Sequence, residues 1–308
     1  MGSMSDEKEE LMAHHKNETP EYSAFAITLF SGTTITLALL GWSVSRFPAS
    51  LARGGVVSLL GSAIALLGYA VVSAWALRAS DRIQISLITG AKAGALIGAF
   101  AVINHSIEVF SGLRAPIPAI LGVTMWGLMF FGFGVASSAT YHEVKSIGPA
   151  IFSSVWSALI SSVATVLFAL CVGLVFMTRM QTVLSAAHVQ SGLSDAQAFV
   201  VRNMLDGSAA HLLLAPLVAA VVGAASAFVC SMIIALAQRA LRALALVDLC
   251  LLAAGVCSIR FASSLARSNR PPFIMAGLLC LCLSLATAYP IALAIRRQLS
   301  SPRAGATP

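Results

Sequence analysis

The sequence predicts an all-α integral membrane protein, a bundle of about eight transmembrane helices joined by short loops. Of its 308 residues, 58% are hydrophobic and only 10% are charged, whereas a soluble domain is about 25% charged. The mean hydropathy is +0.89. Several apolar runs exceed the roughly 18 residues that a helix needs to cross the hydrocarbon core. These observations exclude a soluble globular fold.

Apolar runs and polar breaks divide the chain into three parts. We expect a polar, acidic tail over 1–23, one transmembrane domain over 24–297 and a short tail over 298–308. A run of 17 or more apolar residues is long enough for a span. The eight predicted spans are about 24–44, 56–77, 85–110, 117–141, 150–177, 209–237, 243–259 and 273–295.

One connection is long, over residues 178–208, and the others are short. In this connection Ser194 and Asp195 are candidate N-cap residues for a helix that begins at AQAFVV. Because that helix is mixed in polarity, we expect it to lie on the membrane surface before span six. Pro216 in span six and Pro290 in span eight predict kinks, since proline removes an internal hydrogen bond.

The positive net charge of +7 is unevenly distributed. Residues 1–23 hold six acids and two lysines, so the remainder holds 17 basic and 6 acidic side chains, a net charge of +11. The arginines lie between apolar runs, which indicates anchoring to lipid headgroups rather than binding to nucleic acid. Ten Lys and Arg residues on the side of the N-terminus against eight on the other favour cytoplasmic termini, in a plasma or inner membrane.

The six cysteines all lie within hydrophobic runs, and no CxxC pair exists. Buried thiols of this kind behave as small apolar side chains. We therefore expect neither disulfides nor a metal site from them, and no motif in the chain predicts a cofactor. The residues are Cys171, Cys230, Cys250, Cys257, Cys280 and Cys282.

Span three carries a stripe of small residues that ends in ionisable ones. Steps of three or four residues place its members on one helix face. They are Gly90, Gly94, Gly98, Ala101, His105 and Glu108. Span six has a similar stripe headed by a histidine, made of His211, Ala215, Ala219, Gly223 and Ala227. Small residues let helices approach closely, so we predict that spans three and six pack antiparallel along these stripes.

This packing would bring His105, Glu108 and His211 together near the non-cytoplasmic face. Three interpretations of such a cluster are open. The residues could simply bond to headgroups and to each other. They could form a gate that handles protons or cations, since histidine titrates near physiological pH. They could also bind a metal, although no metalloprotease-type motif is present.

Two further ionisable residues lie inside predicted spans. Lys92 in span three and Asp248 in span seven fall in the same half of the bilayer, so they are candidates for an ion pair. Lys92 lies opposite the glycine stripe, however, and could instead extend to the headgroups. Trp126 and Trp156 lie deep in their spans and are interpreted as packing residues, and the many hydroxyl side chains are expected to bond to backbone carbonyls.

The combination of short loops, small-residue stripes and few buried charges favours a carrier or permease for a small solute or ion. A non-catalytic subunit, scaffold or sensor is the alternative, acting with a partner membrane protein or as a homo-oligomer. An intramembrane enzyme acting on lipid ranks last, because no catalytic constellation is recognised. Beyond this, the expected partner is the lipid bilayer.

Overall fold

A computed structural model describes residues 21–78, 81–112, 117–235 and 238–264, with ten helical residues between 277 and 292. Within these residues every regular element is a helix, and no strand occurs. The predicted class, an all-α membrane bundle, is therefore confirmed. Residues 1–20 and 298–308, which contain most of the two predicted tails, lie outside the described part of the chain.

The described elements are nine α-helices and one 3₁₀ helix. The spanning helices run alternately, so that α1, α3 and α5 end at one face of the bundle, which we call the far face. The elements are α1 (Glu21–Arg46), the 3₁₀ helix (Pro48–Gly54), α2 (Gly55–Ala76), α3 (Asp81–Phe110), α4 (Ile117–Val144), α5 (Ile147–Val175), α6 (Met177–Val183), α7 (Ser185–Ser191), α8 (Ala196–Ala235) and α9 (Gln238–Ser264).

Six of the described helices are long and apolar enough to cross a membrane: α1, α2, α3, α4, α5 and α8. They contain the predicted spans one to six. The seventh predicted span lies in α9, a helix of 27 residues whose described apolar segment is Ala245–Ser258. Most of the eighth lies outside the described residues. Six helices thus have the length and hydropathy of a span, and the total of eight stays a prediction.

Helix α8 is a single helix of 40 residues, about 60 Å long at 1.5 Å per residue. Ala198, Val200 and Leu205 in its first turns are fully buried. The prediction of a separate surface helix before span six is therefore wrong, because this segment packs inside the bundle as the start of span six. The N-cap prediction is confirmed for Asp195, whose Oδ1 accepts hydrogen bonds from the backbone N–H groups of Gln197 (2.8 Å) and Ala198 (3.2 Å).

Helix α5 occupies the centre of the bundle, in contact with α1, α3, α4 and α8. Trp156, Ser157 and Ala158 are all 0% exposed, which shows that neighbours cover every side of α5. Its serines and alanines explain this position, since small side chains allow several helices to approach one backbone closely.

The glycine stripe of α3 packs against α5. A Cβ atom built on Gly90 would lie 2.4 Å from the carbonyl oxygen of Ser153, and one on Gly94 would lie 2.5 Å from that of Ser157. Gly98 continues the contact beside Ala164 and Ser161. The predicted packing of span three against span six along this stripe is therefore wrong. Helix α5 carries serines at the same four-residue spacing. The α3 helix can approach the backbone of α5 this closely only because it has glycine at the contact positions.

The small residues of α8 pack against α4 and α5 instead of α3. Ala215 and Ala219 are buried in one cluster with Phe133 and Ala158. A Cβ atom on Gly223 would lie 2.8 Å from the hydroxyl oxygen of Ser154. Both stripes are thus helix contacts, and α5 takes part in both of them.

Serine hydroxyls hold α4 to α5 and α8. Ser154 Oγ donates to the carbonyl of Phe133 (2.6 Å), and Ser137 Oγ donates to that of Gly223 (2.7 Å). The expected bonding of hydroxyls to their own helix is confirmed at Thr34 and Thr36 in α1, each of which donates to the carbonyl four residues earlier. Ser154 and Ser137 differ because their hydroxyls bond to the backbone of a neighbouring helix instead of their own.

Pro216 leaves one backbone carbonyl of α8 without its usual hydrogen-bond donor. A side chain of α2 supplies the missing donor. Proline has no N–H, so the carbonyl four residues before it, that of Leu212, has no partner within the helix. The buried hydroxyl of Tyr69 donates to this carbonyl oxygen at 2.7 Å. Satisfying a freed backbone group from a neighbouring helix is how membrane helices tolerate proline.

We expect Tyr69→Phe to lower the free energy of unfolding by about 0.6 to 1.7 kcal/mol, the range of interhelical hydrogen bonds measured in membranes. In a Pro216→Ala background the restored N–H donates to the Leu212 carbonyl. Tyr69→Phe should then lower the free energy of unfolding by clearly less. Equilibrium unfolding of the four proteins in mixed detergent micelles measures this difference. Equal costs in the two backgrounds would contradict the assignment.

Candidate functional site

A cavity of about 250 Å³ lies between α3, α4, α5 and α8, near the far face. Its described lining residues combine polar groups with methionines and one tryptophan. They are Ala101, Asn104, His105, Glu108, Gly122, Met125, Trp126, Met129, Thr165, Val166, Ala169, Met180, Asn203, Met204, Gly207, Ser208 and His211. The predicted candidates His105, Glu108 and His211 therefore line one common cavity.

Helix α3 positions the carboxylate of Glu108 together with two neighbouring side chains. Asn104 Nδ2, one turn earlier, donates a hydrogen bond to Glu108 Oε1 at 3.1 Å. His105 Nδ1 lies 3.8 Å from Glu108 Oε2, an ion-pair distance when the imidazole is protonated. The other ring nitrogen, His105 Nε2, is buried and has no hydrogen-bond partner among the described residues. Protein atoms cover it, and the ring lies against Phe168 with a centroid distance of 6.1 Å.

Helix α8 contributes His211 to the opposite wall of the cavity. Its Nδ1 lies 3.3 Å from the backbone carbonyl of Gly207, one turn earlier. Its ring lies against the indole of Trp126, with a centroid distance of 6.1 Å. Helix α5 also holds this turn in place, since Ser162 Oγ donates to the carbonyl of His211 at 3.4 Å.

The three candidates share a cavity although α3 and α8 do not pack along their stripes. Both helices pack against α5, and α4 completes the ring of four. At the far end the small side chains of Ala101, Gly122 and Ala169 leave the space between these helices unfilled. Proximity of the three residues thus depends on α5, not on direct contact between α3 and α8.

Several polar lining residues were not predicted as part of the site. Asn203 falls in the segment that was predicted to lie on the membrane surface. It lines the cavity because α8 is one continuous helix that includes this segment. Trp126, interpreted as a packing residue, lines the cavity as well. Asn104 lies one turn before Glu108 on the same helix, and this four-residue spacing was a signal that could have identified it.

The first turns of α8 and the short helix α6 border the far end of the cavity. The 60 Å length of α8 is about twice the thickness of the hydrocarbon core, so part of this helix extends beyond the core. Asn203 and Gly207 on these turns are exposed. Met180 of α6 is buried and covers part of the cavity, and Arg179 Nε attaches α6 to α3 by donating to the carbonyl of Val109 at 2.9 Å.

Towards the opposite face the same four helices close together. Phe133, Ser137, Ser154 and Ala219 are all 0% exposed. The described residues therefore form a blind cavity rather than an open pore.

No family model matches the chain, and neither a curated protein nor a solved structure matches it.

The metal interpretation of the cluster gains no geometric support. Among the described side chains, no group of three or more His, Cys, Asp and Glu residues is arranged to hold a metal ion. The cysteines that the structure describes, 171, 230, 250, 257 and 280, are free; only Cys230 is buried, whereas Cys171, Cys250 and Cys257 are exposed on the surface of the bundle, contrary to the expectation of buried thiols. Cys282 lies outside the described residues.

Lys92 and Asp248, the second predicted pair, lie away from this cavity. Asp248 in α9 accepts a hydrogen bond from the hydroxyl of Thr287 at 2.7 Å, so its carboxylate faces the C-terminal segment. Lys92 lies on an exposed face of α3, together with Leu96 and Ile103. An ion pair between Lys92 and Asp248 stays a prediction.

Proposed function

We propose that this protein is a carrier that binds a small polar or charged solute in the cavity between α3, α4, α5 and α8. The observation that carries the proposal is a carboxylate, Glu108, placed with two histidines and two asparagines inside a cavity of a membrane bundle. Ionisable groups within transmembrane helices are costly and typically mark ion or substrate pathways.

The size and shape of the cavity support a carrier for a small solute. Its volume of about 250 Å³ falls just below the range of about 300–1,000 Å³ typical of pockets for drug-sized ligands. A site open towards one face and closed towards the other is what one state of a carrier requires. A permanently open channel would need a continuous path, which the buried residues Phe133 and Ser154 interrupt.

The excess of lysine and arginine on the side of the N-terminus supports a cytoplasmic location for that side. We therefore propose that the far face, and with it the open end of the cavity, faces away from the cytoplasm.

Filling the cavity is expected to abolish transport without preventing folding. Gly122 and Gly207 line the cavity, and a Cβ atom on either would meet no atom within 4 Å. We expect Gly122→Phe to occupy the solute space and to reduce flux to the level of protein-free liposomes. Gly68→Phe is the matched control, since Gly68 in α2 is exposed and equally free of neighbours. Uptake of a solute panel into proteoliposomes, with and without a pH gradient, measures the effect.

The alternative, a non-catalytic subunit or scaffold, predicts a different result. No solute in the panel would then be transported by the wild-type protein, and purification in mild detergent would retain a second membrane protein. Flux that is equal in the wild-type protein and Gly122→Phe would contradict the assignment of transport to this cavity.

A further inference from the structure

The charge and lining of the cavity identify the chemical class of its ligand. We propose that the cavity binds a small organic ammonium ion, with its N–H groups at the carboxylate of Glu108 and its hydrocarbon part against Trp126 and the methionines. The inference rests on the proposed function, because it concerns the same site. The cavity volume of about 250 Å³ lies below the range of about 300–1,000 Å³ typical of pockets for drug-sized ligands, so the ligand is small.

The net charge of the described lining favours a cation. Glu108 is the one carboxylate among these residues, and they include neither lysine nor arginine. With neutral imidazoles, the lining therefore carries a charge of −1. Arg179, next to the lining residue Met180, does not line the cavity, and its Nε donates to the carbonyl of Val109. An anionic ligand would be repelled by Glu108, and a neutral one would leave this carboxylate partly desolvated without a counter-charge.

The atoms around Glu108 suit a ligand that donates hydrogen bonds. Asn104 already donates to Oε1, so the ligand faces a carboxylate that needs further donors. His105 Nε2 is covered by protein atoms, so the oxygens of Glu108 are the acceptors that this wall offers to a ligand. An ammonium group has several N–H donors for a carboxylate that one asparagine N–H satisfies only in part.

The remaining wall suits a short hydrocarbon chain. Met125, Met129 and Met204 present flexible thioether side chains, which adapt to irregular apolar shapes. The indole of Trp126, which stacks on Phe130 at a centroid distance of 5.8 Å, adds apolar surface to this wall.

The test compares three probes of the same chain length: n-butylammonium, 1-butanol and butanoate. Calorimetric titration of the full-length protein in lipid nanodiscs should show n-butylammonium binding at least about tenfold more tightly than 1-butanol, and butanoate not binding. Glu108→Gln should abolish the preference for the ammonium. Glu143→Gln, at an exposed site near the opposite end of the bundle, should retain it. Thermal unfolding of both variants verifies that they are folded.

Two outcomes overturn the inference: 1-butanol or butanoate binding as tightly as the ammonium, or no binding of any probe. A flux assay separates this inference from the carrier function. If n-butylammonium binds in a Glu108-dependent manner but is not transported, the ligand class stands and the carrier function fails. If a neutral or anionic solute is transported and Gly122→Phe blocks it, the carrier function stands and the ligand class fails.

Discussion

Replacing Gly94 by leucine is expected to prevent α3 from packing on α5, and so to prevent accumulation of folded protein. Even the first added atom is not tolerated, because a Cβ atom would lie 2.5 Å from the carbonyl oxygen and 3.0 Å from the Cα of Ser157. These are backbone atoms of the central helix, which no change of rotamer can move. Overpacking of this kind costs about 1–3 kcal/mol or more, so Gly94→Ala should already be destabilising and Gly94→Leu severely so.

Gly68 in α2 is the matched control, since a Cβ atom there would meet no atom within 4 Å. Alanine is a better helix former than glycine by about 1 kcal/mol, so Gly68→Ala should be neutral or stabilising. The two substitutions are chemically identical, and the prediction is a difference in sign. Fluorescence-detected size exclusion and thermal unfolding in detergent measure it. A Gly94→Ala protein as stable as Gly68→Ala would show that α3 does not contact α5 here.

Glu108→Gln is expected to reduce transport by about 10- to 100-fold while leaving the protein folded. The substitution preserves the volume of the side chain and an oxygen that can accept the hydrogen bond from Asn104. It removes the negative charge that pairs with a cationic solute. Interactions of this type contribute about 1.5–3 kcal/mol, and each 1.4 kcal/mol corresponds to a factor of ten. Initial rates of uptake into proteoliposomes measure the loss.

Glu143→Gln supplies the control for the loss of a carboxylate as such. Glu143 is exposed near the end of α4, at the face opposite the cavity. We expect its flux to equal that of the wild-type protein. If both variants transport at the wild-type rate, Glu108 takes no part in transport, and the candidate site has to be sought elsewhere in the chain.

The candidate residues could be predicted from helix geometry alone. Spacing by threes and fours places His105 and Glu108 on one face of α3, and alternating helix direction brings His211 of α8 to the same end of the bundle. Both are properties of sequence periodicity and span order, which do not depend on which helices touch. The structure accordingly places all three around one cavity.

The partners of the helices could not be predicted in the same way. A glycine stripe on α3 indicates that some helix approaches closely, but it does not specify which one, since any helix with a complementary surface could pack there. The serines at 153 and 157 in α5 carry the matching four-residue spacing, and their carbonyls lie where a Cβ of Gly90 or Gly94 would be. Choosing α5 over α8 required the arrangement of the whole bundle.

The sequence by itself determined the membrane class, the six apolar helices of spanning length and the side of the bundle at which the polar residues gather, because each follows from hydropathy and helical period along one chain. Only the tertiary structure decided that α5 is central, that α8 begins at Ala196, and that Asn104, Asn203 and Trp126 complete the cavity. The physical reason is that neither the packing partner of a helix nor the space left between four helices is a property of any single segment.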